Sequence, residues 1–248
     1  MRKWSYFKVR PGIKDKGFEY IYSLSLFVLL MIGLNARIIE GIINKQGNFD
    51  YIILEDIGYF TNWASYYLIF YSLYKLITIR KYLTTNDQSL EIMASALSIA
   101  LMLTYSISLI TGHSLGASSF AAIIKTIIGH YVVPIMVIVY FLFFQNTPRK
   151  FGYMNLYYKS WKIVLFVMFY ITFILYRYVA HTYGSENSEK LINESFPYPF
   201  LSPDTIGWAG SLGFGFAALL AGWSFFVMMD YLSCFLGSYI FKKNVMIR

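Results

Sequence analysis

Two short stretches of this chain carry residue types that do chemistry together. One is Gly129-His130-Tyr131-Val132-Val133-Pro134, inside an apolar run from about Lys125 to Phe144. The other is Tyr59-Phe60-Thr61-Asn62, at the start of another apolar run. A run of about 20 apolar residues is long enough to cross a bilayer. An ionisable group inside such a run is costly and marks a functional site by default. A threonine hydroxyl is a weak nucleophile until a base takes its proton, and a neutral imidazole within hydrogen-bond reach is such a base. Thr61 and His130 are therefore read as nucleophile and base. Asn62, or Ser65 one helical turn after Thr61, is placed to donate a hydrogen bond to an oxyanion. Pro134 lacks the amide that would bond to the His130 carbonyl, so a kink is expected beside the imidazole. The plainer readings are a histidine hydrogen-bonded between helices and a threonine bonded to its own backbone.

The elements that must position these groups follow from composition. The chain has 248 residues, 57% hydrophobic and 20% aromatic, and only 14% charged, where a soluble domain has about 25% charged. Together with a positive mean hydropathy, this describes one polytopic, all-α membrane bundle. Six transmembrane helices are expected, at about 18–36, 57–79, 91–111, 125–144, 161–178 and 206–229, forming a single domain over 1–248. The first run has a basic flank like a signal peptide, but it is too long and has no clear cleavage site, so it reads as a span. The single cysteine, Cys234, excludes an intramolecular disulfide and a Cys-rich metal site.

The +8 net charge does not call for nucleic acid, because the basic residues alternate with acidic ones loop by loop. Arg2, Lys3, Lys8, Arg10, Lys14 and Lys16 precede the first span. Lys75, Arg80 and Lys81 belong to the second connection; Arg149, Lys150, Lys159 and Lys162 to the fourth; Lys242, Lys243 and Arg248 to the tail. Glu40, Asp50, Glu55 and Asp56 occupy the first connection, and Glu186, Glu189, Glu194 and Asp204 the fifth. Basic loops stay in the cytoplasm, so both termini are expected there, in the cell membrane. Thr61 then lies about one turn below the outer boundary, and His130 about 7–8 Å deeper than Lys125, whose amine snorkels to water. Asn35, Arg37, Arg177 and His181 gather at the same outer third. Three prolines in Pro197-Tyr198-Pro199-Phe200-Leu201-Ser202-Pro203 forbid a regular helix and suit an interfacial segment over the outer mouth.

One motif misleads. Gly112-His113-Ser114-Leu115-Gly116 spells the G-x-S-x-G of a nucleophile elbow, yet no strand pattern precedes it, as that elbow requires. Gly116-Ala117-Ser118-Ser119 is a poor match to the rhomboid serine motif, because His130 follows in the same segment. The three histidines, His113, His130 and His181, have no His or carboxylate at the helical spacing of a metal site, and there is no Walker-type phosphate loop. No metal and no cofactor are expected.

Taken in order, Phe60-Thr61 on span two, His130-x-x-x-Pro134 on span four and Tyr198-Pro199-Phe200-Leu201 before span six resemble the androgen-induced, ADTRP-like family of six-span proteins, in its bacterial branch. The likeness covers nearly the whole chain. It implies a threonine hydrolase of fatty acid esters of hydroxy fatty acids, with the catalytic Thr at Thr61 and the His at His130. The chain departs from the bacterial pattern at Ser65, where an Asn is usual, and at Val139-Tyr140-Phe141, where an Asp-Trp pair is common.

The leading expectation is thus an intramembrane lipid esterase. Its partners are membrane lipids and a fatty-acyl ester, and Arg37 or Arg177 holds a substrate carboxylate. The alternative is a lipid-binding protein or transporter without chemistry. Glu91 and Asp230 fall near the cytoplasmic ends of their spans and no inverted repeat is visible, which counts against transport.

Overall fold

The computed structural model describes residues 16–44, 57–80, 89–110, 120–144, 153–184, 198 and 202–246, without the side chains of some residues near helix ends. Among them there is no strand. Six helical elements follow one another: α1 (Lys16–Asn44), α2 (Phe60–Arg80), α3 (Ser89–Ile110), α4 (running from Phe120–Ile127 through Ile128–Val132 and Val133–Val139 to Tyr140–Phe144), α5 (Tyr153–Gly184) and α6 (Pro203–Met246). Four carry segments long and apolar enough to cross a membrane: Gly17–Ala36, Ser89–Ile107, Lys159–Ala180 and Pro203–Leu236. α2 is diluted by tyrosines, Asn62 and Lys75, and in α4 the apolar helix is the shorter stretch Ile128–Phe144. The elements match the expected runs within a few residues at most starts; the ends of α1, α5 and α6 extend well past them, at Asn44, Gly184 and Met246.

α3 is the hub. It touches α2, α4, α5 and α6, while α1 lies against α2 and α4. Its sequence allows this. Ala94, Ser95, Ala96 and Ser98 are buried and small, so neighbouring backbones come close. Their hydroxyls cost nothing in the apolar interior, because Ser95 and Ser98 donate to the Glu91 and Ala94 carbonyls of their own helix at 2.9 and 2.8 Å. Ile92, Leu97 and Leu101 fill the core between these residues. Phe70, Phe169, Tyr176 and Phe216 point outward and are exposed, as lipid-facing side chains are.

The start of α2 is fixed from several directions. Trp63 donates its indole N–H to the Ile57 carbonyl at 2.8 Å, and Tyr170 of α5 donates its hydroxyl to the Gly58 carbonyl at 3.0 Å. Phe60 packs edge-on against Tyr170 (centroids 5.2 Å), and Trp63 lies against Phe173 (5.4 Å). Tyr198, from the proline-rich segment, meets Tyr59 edge-on at 6.0 Å. Burial above all pushes the Tyr198 phenol well above its usual range, against a lowering hydrogen bond from the Phe60 backbone, so it stays neutral there. At α6, Ser202 accepts the Thr205 amide on its carbonyl at 3.0 Å and Pro203 takes the first helical position. Gly207, at φ 73° and ψ 163°, breaks the first turn from the long helix that follows. That conformation is open to glycine and strained for other residues.

Lys75 differs from its sequence reading. It is not a loop charge but a buried residue within α2, paired with Glu91 at 3.4 Å. Its contribution to the loop-charge pattern is thereby removed, leaving Arg80 and Lys81 to carry that connection. The loop motif Gly112–Gly116 lies outside the described residues, as do most of the proline-rich segment and the side chains of Arg37, Lys125 and His181.

Candidate functional site

A pocket opens between α1, α2 and α4, and its shape begins with Pro134. In an α-helical turn the proline ring would collide with the His130 carbonyl, and the proline offers no N–H to it. The chain widens instead: Ile128–Val132 is a π-helical turn, closed by the Val133 N–H on the Ile128 carbonyl, and right-handed backbone angles run through both junctions. Such turns occur as single bulges inside α-helices, frequently at functional sites. His130 stands in the middle of this one and is buried at 9% exposure. Its ring lies flat on that of Tyr105 from α3, with centroids 4.1 Å apart and 7° between planes. The Tyr105 hydroxyl reaches Thr126 Oγ1 at 3.5 Å, so α3 and α4 hold the imidazole plane between them.

The pocket is lined by Leu29, Leu30, Gly33 and Leu34 of α1, Asn62, Ser65 and Ile69 of α2, and Ile128, Gly129 and His130 of α4. Three of the expected site residues, Asn62, Ser65 and His130, thus share one cavity with an apolar α1 wall. Two glycines make room. A Cβ at Gly129 would stand in open space, and one at Gly33 would touch Ile128 at 3.9 Å. The pocket volume is about 30 Å³, room for one or two waters and far below the 300–1,000 Å³ of a typical ligand pocket.

The other expected residues fall elsewhere. Thr61 is half-buried and precedes Asn62, but it is not part of the wall. Successive helical residues diverge by about 100°, which turns Thr61 toward the side of the cavity. Ser65 donates its proton to the Thr61 carbonyl at 2.9 Å. Toward the pocket it therefore offers lone pairs, and Asn62 is the better oxyanion donor. Arg177 is not brought to the pocket. It lies on α5 two turns from Tyr170, and α5 packs on the Phe60 and Trp63 face of α2, away from Asn62 and Ser65. Arg37 belongs to α1, with its side chain outside the described residues. Sequence reasoning missed the α1 wall and Tyr105. Gly33 in an otherwise bulky apolar run was the available signal for the first; nothing in the sequence pairs Tyr105 with His130.

Chemically, the arrangement offers an imidazole held in plane, an amide donor and a hydroxyl, at the polar end of an apolar cleft. That set suits proton abstraction and stabilisation of a developing oxyanion on an apolar substrate. No family model matches the chain, and comparison with curated proteins and with solved structures finds no match either.

Proposed function

We propose that this chain is an intramembrane esterase that hydrolyses fatty-acyl esters, such as fatty acid esters of hydroxy fatty acids. In this reading it crosses the cell membrane six times with both termini in the cytoplasm. His130 takes the proton of the Thr61 hydroxyl, the alkoxide attacks the ester carbonyl, and Asn62 stabilises the oxyanion. The alcohol leaves with the proton from His130, and water admitted to the same place releases the acid. The observation that carries the reading is the shared cavity of His130, Asn62 and Ser65 against the leucines of α1. The small volume means that substrate must separate α1 from α2 and α4. Thr61 is kept as nucleophile on the resemblance of Phe60-Thr61 and His130-x-x-x-Pro134, and because the Ser65 proton is already donated.

A second reading, a lipid-binding protein or transporter without chemistry, is favoured by one observation: Thr61 stands outside the wall. A fluorophosphonate probe on purified protein separates the two. Labelling lost in Thr61→Ala and in His130→Ala supports the esterase. Labelling lost in Ser65→Ala alone transfers the nucleophile to Ser65. No labelling above a heat-denatured control leaves the binding reading in front.

A further inference from the structure

Glycine weakens a helix interior relative to alanine, so each helical glycine calls for a physical cause. On α6 the cause is visible at several positions. A Cβ at Gly210 would stand 3.1 Å from the Ile206 side chain, one at Gly215 3.3 Å from Ile171, and one at Gly222 3.3 Å from Val167, so close packing keeps these residues small. Gly207 has the positive φ that favours glycine.

Gly129 of α4 has neither cause. Its φ is not positive, and a Cβ there would meet nothing within 4 Å among the described residues. The π-helical turn does not require it, since Ile128, Tyr131 and Val132 in the same turn carry bulky side chains. What Gly129 leaves is space, and that space borders the pocket beside His130. Gly33 of α1 lines the same pocket, and a Cβ on it would come only to 3.9 Å from Ile128. α1 and α4 thus meet here over two residues that lack side chains. Gly33, Ile128 and Gly129 are each partly exposed, so the pocket is not sealed at this seam. Leu29, Leu30 and Leu34 make the rest of the α1 wall apolar.

A slot of this make has a polar end, at His130 and Asn62, and apolar sides only as wide as two missing side chains allow. It complements an amphiphile with one slender hydrocarbon tail; a branched or ring-bearing tail needs more width. We propose that Gly129 is the specificity-determining position of the candidate site, and that the seam across Gly33 and Gly129 holds one straight acyl chain, its carbonyl toward His130 and Asn62. The ester at the polar end rests on the esterase reading. The slot rests on the glycines, and stands equally in a protein that only binds lipid. A methyl at position 129 fills open space and narrows the conformations of the unfolded chain, so it should not harm the fold. It should obstruct the tail.

The test compares the parent with Gly129→Ala, Gly129→Leu and, as a control at an exposed position of α6 where a Cβ also meets nothing, Gly213→Leu. The full chain in lipid is assayed on p-nitrophenyl palmitate and p-nitrophenyl acetate. The ratio of kcat/KM, palmitate over acetate, should fall by about tenfold or more in Gly129→Leu, fall in the same direction in Gly129→Ala, and hold in Gly213→Leu. The melting temperature of Gly129→Ala should hold or rise. Gly129→Ala alone decides if the leucine variant does not fold. An unchanged ratio overturns the slot and leaves the esterase reading standing. A lower melting temperature in Gly129→Ala also overturns it, because the glycine would then serve packing. If the parent hydrolyses neither ester, the esterase reading fails and the slot is judged by cross-linking of a palmitic acid that carries a diazirine. Cross-links to α1 and α4 at the seam, reduced about tenfold in Gly129→Leu, uphold the slot; cross-links elsewhere, or unchanged by the variant, overturn it.

Discussion

At the scale of the residue, His130 is the group on which the site turns. Its plane is set by Tyr105, and its neighbours across the cavity are Asn62 and Ser65. If Thr61 and His130 act as one unit, losing either costs nearly as much as losing both. Thr61→Ala, His130→Ala and the double variant should each lower ester hydrolysis by about 100-fold or more, the usual contribution of a positioned base. Ser65→Ala should stay within a few-fold of the parent, because its proton serves the Thr61 carbonyl. Steady-state rates on a fatty-acyl ester, with thermal melts to confirm folding, check all four. Additive losses would mean that the two groups do not work together. The elbow-like serine gives a control: Ser114→Ala should also remain within a few-fold, since no strand–turn–helix setting is expected for it, and a loss of about 100-fold in a folded protein would reverse that view.

At the scale of the element, α4 governs two polar clusters. One π-helical turn carries His130 at the pocket; a second, Tyr140–Phe144, carries Tyr140 at the Lys75–Glu91 pair. Pro134→Ala restores an amide to the His130 carbonyl and removes the clash, so the first turn should tighten to α-helix. Closing a π turn rotates one side of the helix against the other by about 100°, which takes His130 out of the wall. Fluorophosphonate labelling should fall by about tenfold or more while the melting temperature holds or rises. Unchanged labelling would mean that the proline is not what aims His130. Much of this element was legible in advance: apolar length gave a helix, and Pro134 four residues after His130 gave a distortion beside the imidazole. The widened turn was not legible, because a kink and a π turn satisfy the same missing bond and differ only in how neighbouring helices pack. The same limit hid Lys75. By sequence it counts with the basic second connection although the expected span 57–79 contains it, and only the fold shows its amine drawn inward onto Tyr140.

At the scale of the whole molecule, the arrangement puts the candidate esterase pocket and the Lys75–Glu91 cluster at opposite ends of one bundle. Which end faces the cytoplasm decides from which side water reaches each. The alternation of loop charge favours the α1 and α3 starts as the cytoplasmic end. That pattern survives the loss of Lys75, because the amino-terminal residues, Arg149 and Lys150, and Lys242 and Lys243 still oppose the acidic first and fifth connections. The orientation is testable without any assay of function. In a chain with Cys234 replaced, single cysteines at Lys45 and Glu189 should react with an impermeant maleimide added outside intact cells, and one at Lys150 should react only after permeabilisation. This result makes the pocket end extracytoplasmic and puts the Lys75–Glu91 pair toward the cytoplasm. The reverse pattern would turn the bundle over and expose the pocket to cytoplasmic water. Labelling of Lys45 and Glu189 on different sides would instead break the six-span count, since six spans require the first and fifth connections to share a face.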